Sequence, residues 1–200
     1  MIEPARHTDS ARTAVHTPAI PAGRRVYAIG DIHGRVDLFD AMIEAIEEDD
    51  AAAQLAITTV ILLGDLVDRG PESAAVIARA RAWAQQREVR IIAGNHEEMF
   101  LQSFHDTEVL RYFLRYGGRE TLLSYGLEAG RPLTEKDLRS VQAAMEAQVP
   151  TEDLLFVAGF EDVIEIGNYA FVHAGIRPDL PLEEQSLQDL RWIREPFLSH

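Results

Sequence analysis

Between Arg25 and His105 the chain repeats one unit three times: a short apolar run, a glycine, a few polar side chains, then residues at helical spacing. Val26-Tyr27-Ala28-Ile29 stops at Gly30, Thr58 to Leu63 stops at Gly64, and Val89 to Ala93 stops at Gly94. Short apolar runs of this kind are the pattern of strands buried on both faces of a parallel sheet. The stretches that follow read as helices: Val36 to Asp50 with Leu38, Met42 and Ile46 at helical spacing, Ser73 to Gln86, and Glu97 to His105. Strand, loop and helix in threefold succession predict an α/β architecture.

Around this unit the chain divides into a lead-in and one domain. Residues 1–24 carry Thr, Ala, Pro and charge without periodicity and read as a flexible N-terminal segment; residues 25–200 read as the domain. Within it, about 104–150, the periods are helical and are broken by Gly117-Gly118, Gly126 and Gly130-Arg131-Pro132, which predicts a helical insertion over the strand ends. Val163 to Ile166 and Tyr169 to Val172 read as two strands joined by the turn Gly167-Asn168.

Composition narrows the chemistry. The 200 residues carry a net charge of −14, which repels a phosphate backbone at long range and argues against nucleic acid as a partner. Two divalent cations would still admit a phosphate substrate, because they concentrate positive charge at one spot. Cysteine is absent, which excludes disulfides, thiolate metal sites and a cysteine nucleophile together. No apolar run reaches the about 18 residues of a membrane span, and the first 24 residues hold no signal-type apolar core, so a cytoplasmic protein is expected.

The glycines that stop the strands are followed at once by side chains able to bind metal. These loops are Gly30-Asp31-Ile32-His33-Gly34, Gly64-Asp65-Leu66-Val67-Asp68-Arg69-Gly70 and Gly94-Asn95-His96-Glu97; His173-Ala174-Gly175 follows Val172. In open α/β sheets ligands gather outside the carboxyl ends of the strands, so the four loops can meet in one place. The candidate ligands are Asp31, His33, Asp65, Asn95 and His173. A mix of carboxylate, imidazole and amide oxygen suits Mn, Fe or Zn better than Ca. Asp31 and His33, two apart in an extended turn, point to one side. The two oxygens of Asp65 can bridge two ions about 3.5–4 Å apart.

The ordered set GDIHG, GDLVDRG, GNHE and HAG resembles the calcineurin-like metallophosphoesterase superfamily. GDLVDRGPES followed by GNHEEMF is most similar to the bacterial branch of its phosphoprotein phosphatases, which act on serine and threonine phosphates. The resemblance runs from about Arg25 to the end of the chain. It implies two β-sheets packed as a sandwich and flanked by helices, with two divalent metal ions, manganese first and Fe or Zn after it. Asp31, His33 and Asp65 would bind one ion, and Asp65, Asn95 and His173 the other. A hydroxide bridging the ions would attack phosphorus directly. His96 would act as general acid for the leaving oxygen, with Asp68 orienting its ring. Arg69, Arg194 and Asn95 would hold the phosphate.

The resemblance also implies a further metal-binding histidine in a Gly-His-Thr-Pro-like motif beyond HAG. Nothing from Ile176 onward matches it, and His200 is a poor substitute. Two explanations follow: the C-terminal strands are lacking, which LRWIREPF favours, or three protein ligands and water complete the second site. The expected substrate is a phosphorylated protein or a small phosphomonoester. The alternatives are a symmetrical dinucleoside tetraphosphate hydrolase and a non-catalytic phosphate-binding relative. Outside the loops, His7, His16 and His105 are expected in solvent, and Glu44, Glu47, Glu48, Asp49 and Asp50 as a solvated helix face. Tyr112, Phe113 and Tyr116 are read as helix core, with an aromatic wall over the cleft as the other option.

Overall fold

The computed structural model describes residues 19–128 and 134–200. The flexible segment expected at 1–24 therefore lies, up to residue 18, outside the described residues, as do His7, His16 and the break at Gly130-Arg131-Pro132. From Ala19 the chain is held in place. Asn168 N–H donates to Ala19 O at 3.2 Å, and Ile20 packs beside Val26 and Ile166.

Strands β1 (Arg24–Ile29), β2 (Ile57–Leu62) and β3 (Val89–Ile91) form a parallel sheet in that order, with Val26 opposite Thr59 and Leu62 opposite Ile91. Helices α1 (Val36–Ala52), α2 (Ser73–Ala84) and α3 (Asn95–Gln102) follow the three strands. The alternation within β2 shows why Val60, Ile61 and Leu62 are apolar in succession. Val60 and Leu62 turn to one face, against Phe39 and Ile43 of α1 and Val76 and Trp83 of α2. Ile61 turns to the other, against Ile92 and a hairpin of β4 (Ile164–Ile166) and β5 (Tyr169–Phe171). Both faces are covered, as the sequence predicts for a buried parallel strand. The hairpin joins the sheet edge where Glu161 N–H donates to Ile91 O and Ala93 N–H to Glu161 O, each at 2.8 Å.

Two details of α1 differ from the sequence reading. The buried face is Phe39, Ile43 and Ile46, while Leu38 and Met42 are exposed. Both sets fit a helical period; Phe39 wins because it offers the larger apolar surface and meets Trp83 edge to face at 6.0 Å. The acidic run is also more than a solvated face. Glu47 accepts the Trp83 indole N–H at 2.7 Å, and Asp50 accepts the Thr58 hydroxyl at 2.7 Å and pairs with Arg25 and Arg87.

The residues between α3 and β4 are helical: α4 (Thr107–Arg115), α5 (Gly118–Ser124), α6 (Glu135–Gln148) and α7 (Thr151–Ala158). Asp106 starts α4 by accepting from Glu108 N at 2.8 Å, and Thr134 with Asp137 forms a capping box at the start of α6. Helix α7 lies beyond the insertion expected at about 104–150. Here Pro150 precedes the first turn, where its missing N–H leaves no bond unmade. The four helices and α3 share a core that includes Phe100, Phe104, Phe113, Leu122, Leu138 and Met145. A short α8 (Leu187–Trp192) follows the hairpin. Among the described residues no helix is long and apolar enough to cross a membrane.

Candidate metal and catalytic site

The loops after β1 and β2 are laced together by their backbones. Ile32 N–H and His33 N–H both donate to Asp65 O, at 3.0 and 2.8 Å, and Gly34 N–H donates to Leu66 O at 2.9 Å. The approach needs glycine: a Cβ at Gly70 would stand 2.1 Å from His33 O, and one at Gly34 2.6 Å from Gly70 O. Among the described residues the non-glycine positions with positive φ are His33 (45°), Asp65 (53°), Asp68 (73°) and Arg69 (67°). Left-handed backbone costs an L-residue energy and persists only where its surroundings impose it.

Those surroundings include residues the sequence reading did not single out as part of the site. Glu97, 1% exposed, accepts N–H bonds from Asp65 (2.8 Å), Leu66 (2.7 Å), Val67 (3.3 Å) and Gly94 (2.9 Å). Gly94, rather than Asn95, is the N-cap of α3. Asp68 N–H donates to Thr121 Oγ1 at 2.8 Å and to Ser73 Oγ at 3.0 Å, and Arg69 N–H donates to Gly117 O at 3.0 Å. Glu97 was legible as a glutamate three residues into a helix start, which is where a capping-box carboxylate reaches back. Thr121 and Gly117 carried no local signal, because their contact with the 68–69 turn is made only by the fold.

The expected metal ligands converge. His33 Nδ1–H donates to Val67 O at 2.8 Å, which leaves Nε2 as a bare acceptor. That nitrogen is buried without a hydrogen-bond partner and lies 3.7 Å from both Asp31 Oδ2 and Asp65 Oδ2. His173 Nδ1–H donates to Leu63 O at 2.7 Å, so its Nε2 also faces acceptors: Asn95 Oδ1 at 3.1 Å and Asp65 Oδ1 at 3.5 Å. Acceptors that face acceptors repel unless a cation lies between them, so the donor set fits divalent metal. Ligand atoms of His33, Asp65 and His96 all lie within 4.8 Å of one another, and so do those of Asp31, Asp65 and His173. Asp65 belongs to both groups, with Oδ2 toward His33 and Oδ1 toward His173. Asp31 therefore sits close to His173 as well as to His33.

Beside the ligands, His96 Nδ1 donates to Asp68 Oδ2 at 2.6 Å, and Thr121 Oγ1 donates to Asp68 Oδ1 at 2.6 Å. Arg69 Nη2 donates to His96 Nε2 at 3.0 Å. Burial opposes a charge on His96, but its bond to Asp68 and the nearby Asp65 outweigh burial and hold the ring above its ordinary pKa of 6.5. Burial also pushes Asp68 up, yet the proton sits on the ring, because Thr121 already donates to the other carboxylate oxygen. Burial and the charge of Glu97 push Asp65 up to about 6. Burial lowers His33, which favours the neutral ring a metal requires. Arg194 is exposed and donates to Ile193 O at 2.9 Å; no hydrogen bond brings it to the group. His105 is exposed, as expected.

The loops at the ends of this parallel sheet bring five metal-capable side chains together, and the family model "Calcineurin-like phosphoesterase" matches residues 24–199. The chain belongs to this family. Its relatives include the symmetrical bis(5'-nucleosyl)-tetraphosphatase of Acidovorax ebreus, 30% identical over 80% of this chain and 47% of that protein. The asymmetrical bis(5'-nucleosyl)-tetraphosphatase PrpE of Anoxybacillus flavithermus is 27% identical over 76% of this chain and 57% of that protein. The chain spans about half the length of these relatives. Among solved structures, the cold-active protein-tyrosine phosphatase of a Shewanella species superposes with a TM-score of 0.52 at 19% identity, over 85% of this chain and 49% of that one. That likeness concerns the fold alone.

Proposed function

We propose that the protein is a metal-dependent hydrolase of dinucleoside tetraphosphates, cleaving a phosphoanhydride bond with two divalent cations held through a shared Asp65. The observation that carries the reading is the division of Asp65, one oxygen toward His33 and the other toward His173, beside the His96–Asp68 pair. Asp31, His33, Asp65, Asn95 and His173 are the metal ligands in this reading, with manganese as the first candidate and Fe or Zn after it. When bound, the cations supply Lewis acidity toward water and the phosphoryl oxygens.

The chain's own residues do the rest. Arg69 donates from two N–H groups to phosphate oxygens, a fork that lysine cannot reproduce. Once Arg69 turns to the substrate, His96 Nε2 is free to carry a proton and give it to the leaving phosphate oxygen. Asp68, fixed by Thr121 and its own backbone bonds, holds the ring for that transfer and stabilises its charge. Arg194 belongs to this phosphate site only if the segment after α8 moves toward it.

The nucleotide substrate is supported by the names of the relatives, symmetrical and asymmetrical alike. A second reading, a phosphomonoesterase acting on serine or threonine phosphoprotein, is favoured by the intact GDLVDRG and GNHE segments that build the Asp68–His96 pair. The test is turnover of diadenosine tetraphosphate and of a phosphoserine peptide, side by side, with added manganese. The first reading predicts faster hydrolysis of the dinucleotide; two molecules of ADP mark symmetrical cleavage, and ATP with AMP asymmetrical cleavage. Faster peptide hydrolysis would replace it with the second.

A further inference from the structure

The C-terminal end of helix α4 carries Tyr112 and Phe113, with Tyr116 as its C-cap, and the fold treats the three aromatic residues unequally. Phe113 is fully buried in the helical core, while Tyr112 and Tyr116 remain 46% and 43% exposed. One helical turn apart, the two tyrosines share a face, with ring centres 4.2 Å apart and planes inclined at 38°. The Arg115 guanidinium lies over the Tyr116 ring at 5.7 Å. Neither the core nor the phosphate chemistry uses this pair, although two large rings left half in water give up burial energy.

Its position relates it to the site. Tyr116 is bonded directly to Gly117, whose carbonyl accepts the Arg69 N–H at 3.0 Å. Gly117 lies so close that a Cβ there would stand 2.8 Å from Arg69 Cγ. Four residues beyond Gly117 stands Thr121, which donates to Asp68. The end of α4 is therefore locked against the turn that carries Arg69 and orients His96.

We infer that Tyr112 and Tyr116 form a stacking platform for a nucleobase of the substrate whose phosphate is held at Arg69. This rests on the nucleotide reading above and names the residues that would select such a substrate. A base has a planar π-face that stacks on tyrosine whatever its sequence, and the exposed rings offer that surface without rearranging the core. Arg115, over the Tyr116 ring, adds a cation beside the platform, where a nucleotide brings negative charge.

The experiment compares wild type with Tyr112→Ala/Tyr116→Ala and Tyr112→Phe/Tyr116→Phe on two substrates, diadenosine tetraphosphate and inorganic tetraphosphate. The alanine pair should raise KM for the dinucleotide about 5- to 100-fold while kcat holds, from loss of stacking. KM for inorganic tetraphosphate should stay unchanged, and the phenylalanine pair should behave as wild type. Equal losses on both substrates, or no change on either, would overturn the platform. If wild type does not hydrolyse the dinucleotide, the nucleotide reading fails separately, and binding decides the platform. AMP should then bind at least tenfold tighter than ribose 5-phosphate to wild type and no tighter to the alanine pair; equal affinities in wild type would reject it.

Discussion

Around Phe100, helices α3 to α7 follow the ordinary rules of a stable fold: Phe113, Leu122, Leu138 and Met145 are buried and apolar, and polar side chains cap the starts of α4 and α6. A few residues away, the loops after β1 and β2 depart from them. They force His33, Asp65, Asp68 and Arg69 into left-handed backbone and gather acceptors with no donor between them. The two regions are joined by a few bonds, among them Thr121 to Asp68 and Gly117 to Arg69. The contrast shows a division of labour. The helical core supplies the free energy that holds the loops in a conformation they would not adopt alone, and the loops keep the unsatisfied groups to which the proposed function assigns cation and phosphate.

The comparison predicts that changes in the loops alter chemistry more than folding, and changes in the bundle the reverse. The largest effect falls on His96→Ala, which should lower turnover about 10²- to 10⁴-fold, the range of a lost general acid, with a smaller loss of stability than Phe100→Ala. Phe100→Ala should reverse the pattern and cost about 3–5 kcal/mol in urea unfolding, because it empties the centre of the shared core. If that variant lost activity without losing stability, the division would be wrong.

Glu97→Ala sits on the boundary and should affect both. It strands the buried N–H groups of Asp65, Leu66, Val67 and Gly94, so a cost of about 2–3 kcal/mol is expected together with weakened cation binding, read by unfolding and by titration. Asp65→Asn should do the opposite in chelator. Burial and Glu97 raise Asp65 from 3.8 to about 6, so the folded state holds that proton more tightly than the unfolded chain. Through this group the metal-free protein loses stability as pH rises from about 4 to about 6. The asparagine variant escapes that loss and should be more stable than wild type at pH 8, by on the order of 1–2 kcal/mol, with no gain near pH 4. Leu38→Ser, on the exposed face of α1, should change stability by no more than about 0.5 kcal/mol.

How much of this was legible follows the same line. The site ligands could be read because Asp31, Asp65 and Asn95 each follow a glycine that ends an apolar run, with His33 in the same short loop and His173 directly after the run ending at Val172, so chemistry and conformation are written in short segments. The parallel sheet could be read because β2 must be apolar on both faces. The buried face of α1 could not, since Leu38, Met42 and Phe39, Ile43 satisfy the same period and only the position of Trp83 decides between them. Helix α7, just past the span read as the insertion, has Pro150 before its first turn and no side-chain cap to mark its start. Thr121 and Gly117 were hidden by distance along the chain, and Arg194 stayed away from the group because α8 leaves it facing solvent.

The central claim is that one carboxylate, Asp65, serves two cations. Equilibrium dialysis of manganese against the metal-free protein tests it directly, with wild type and Asp65→Asn measured at pH 7.5. The account predicts two ions per chain for wild type and a collapse of both affinities in the variant. An unchanged second ion in Asp65→Asn, or a wild-type protein that binds only one, would contradict it.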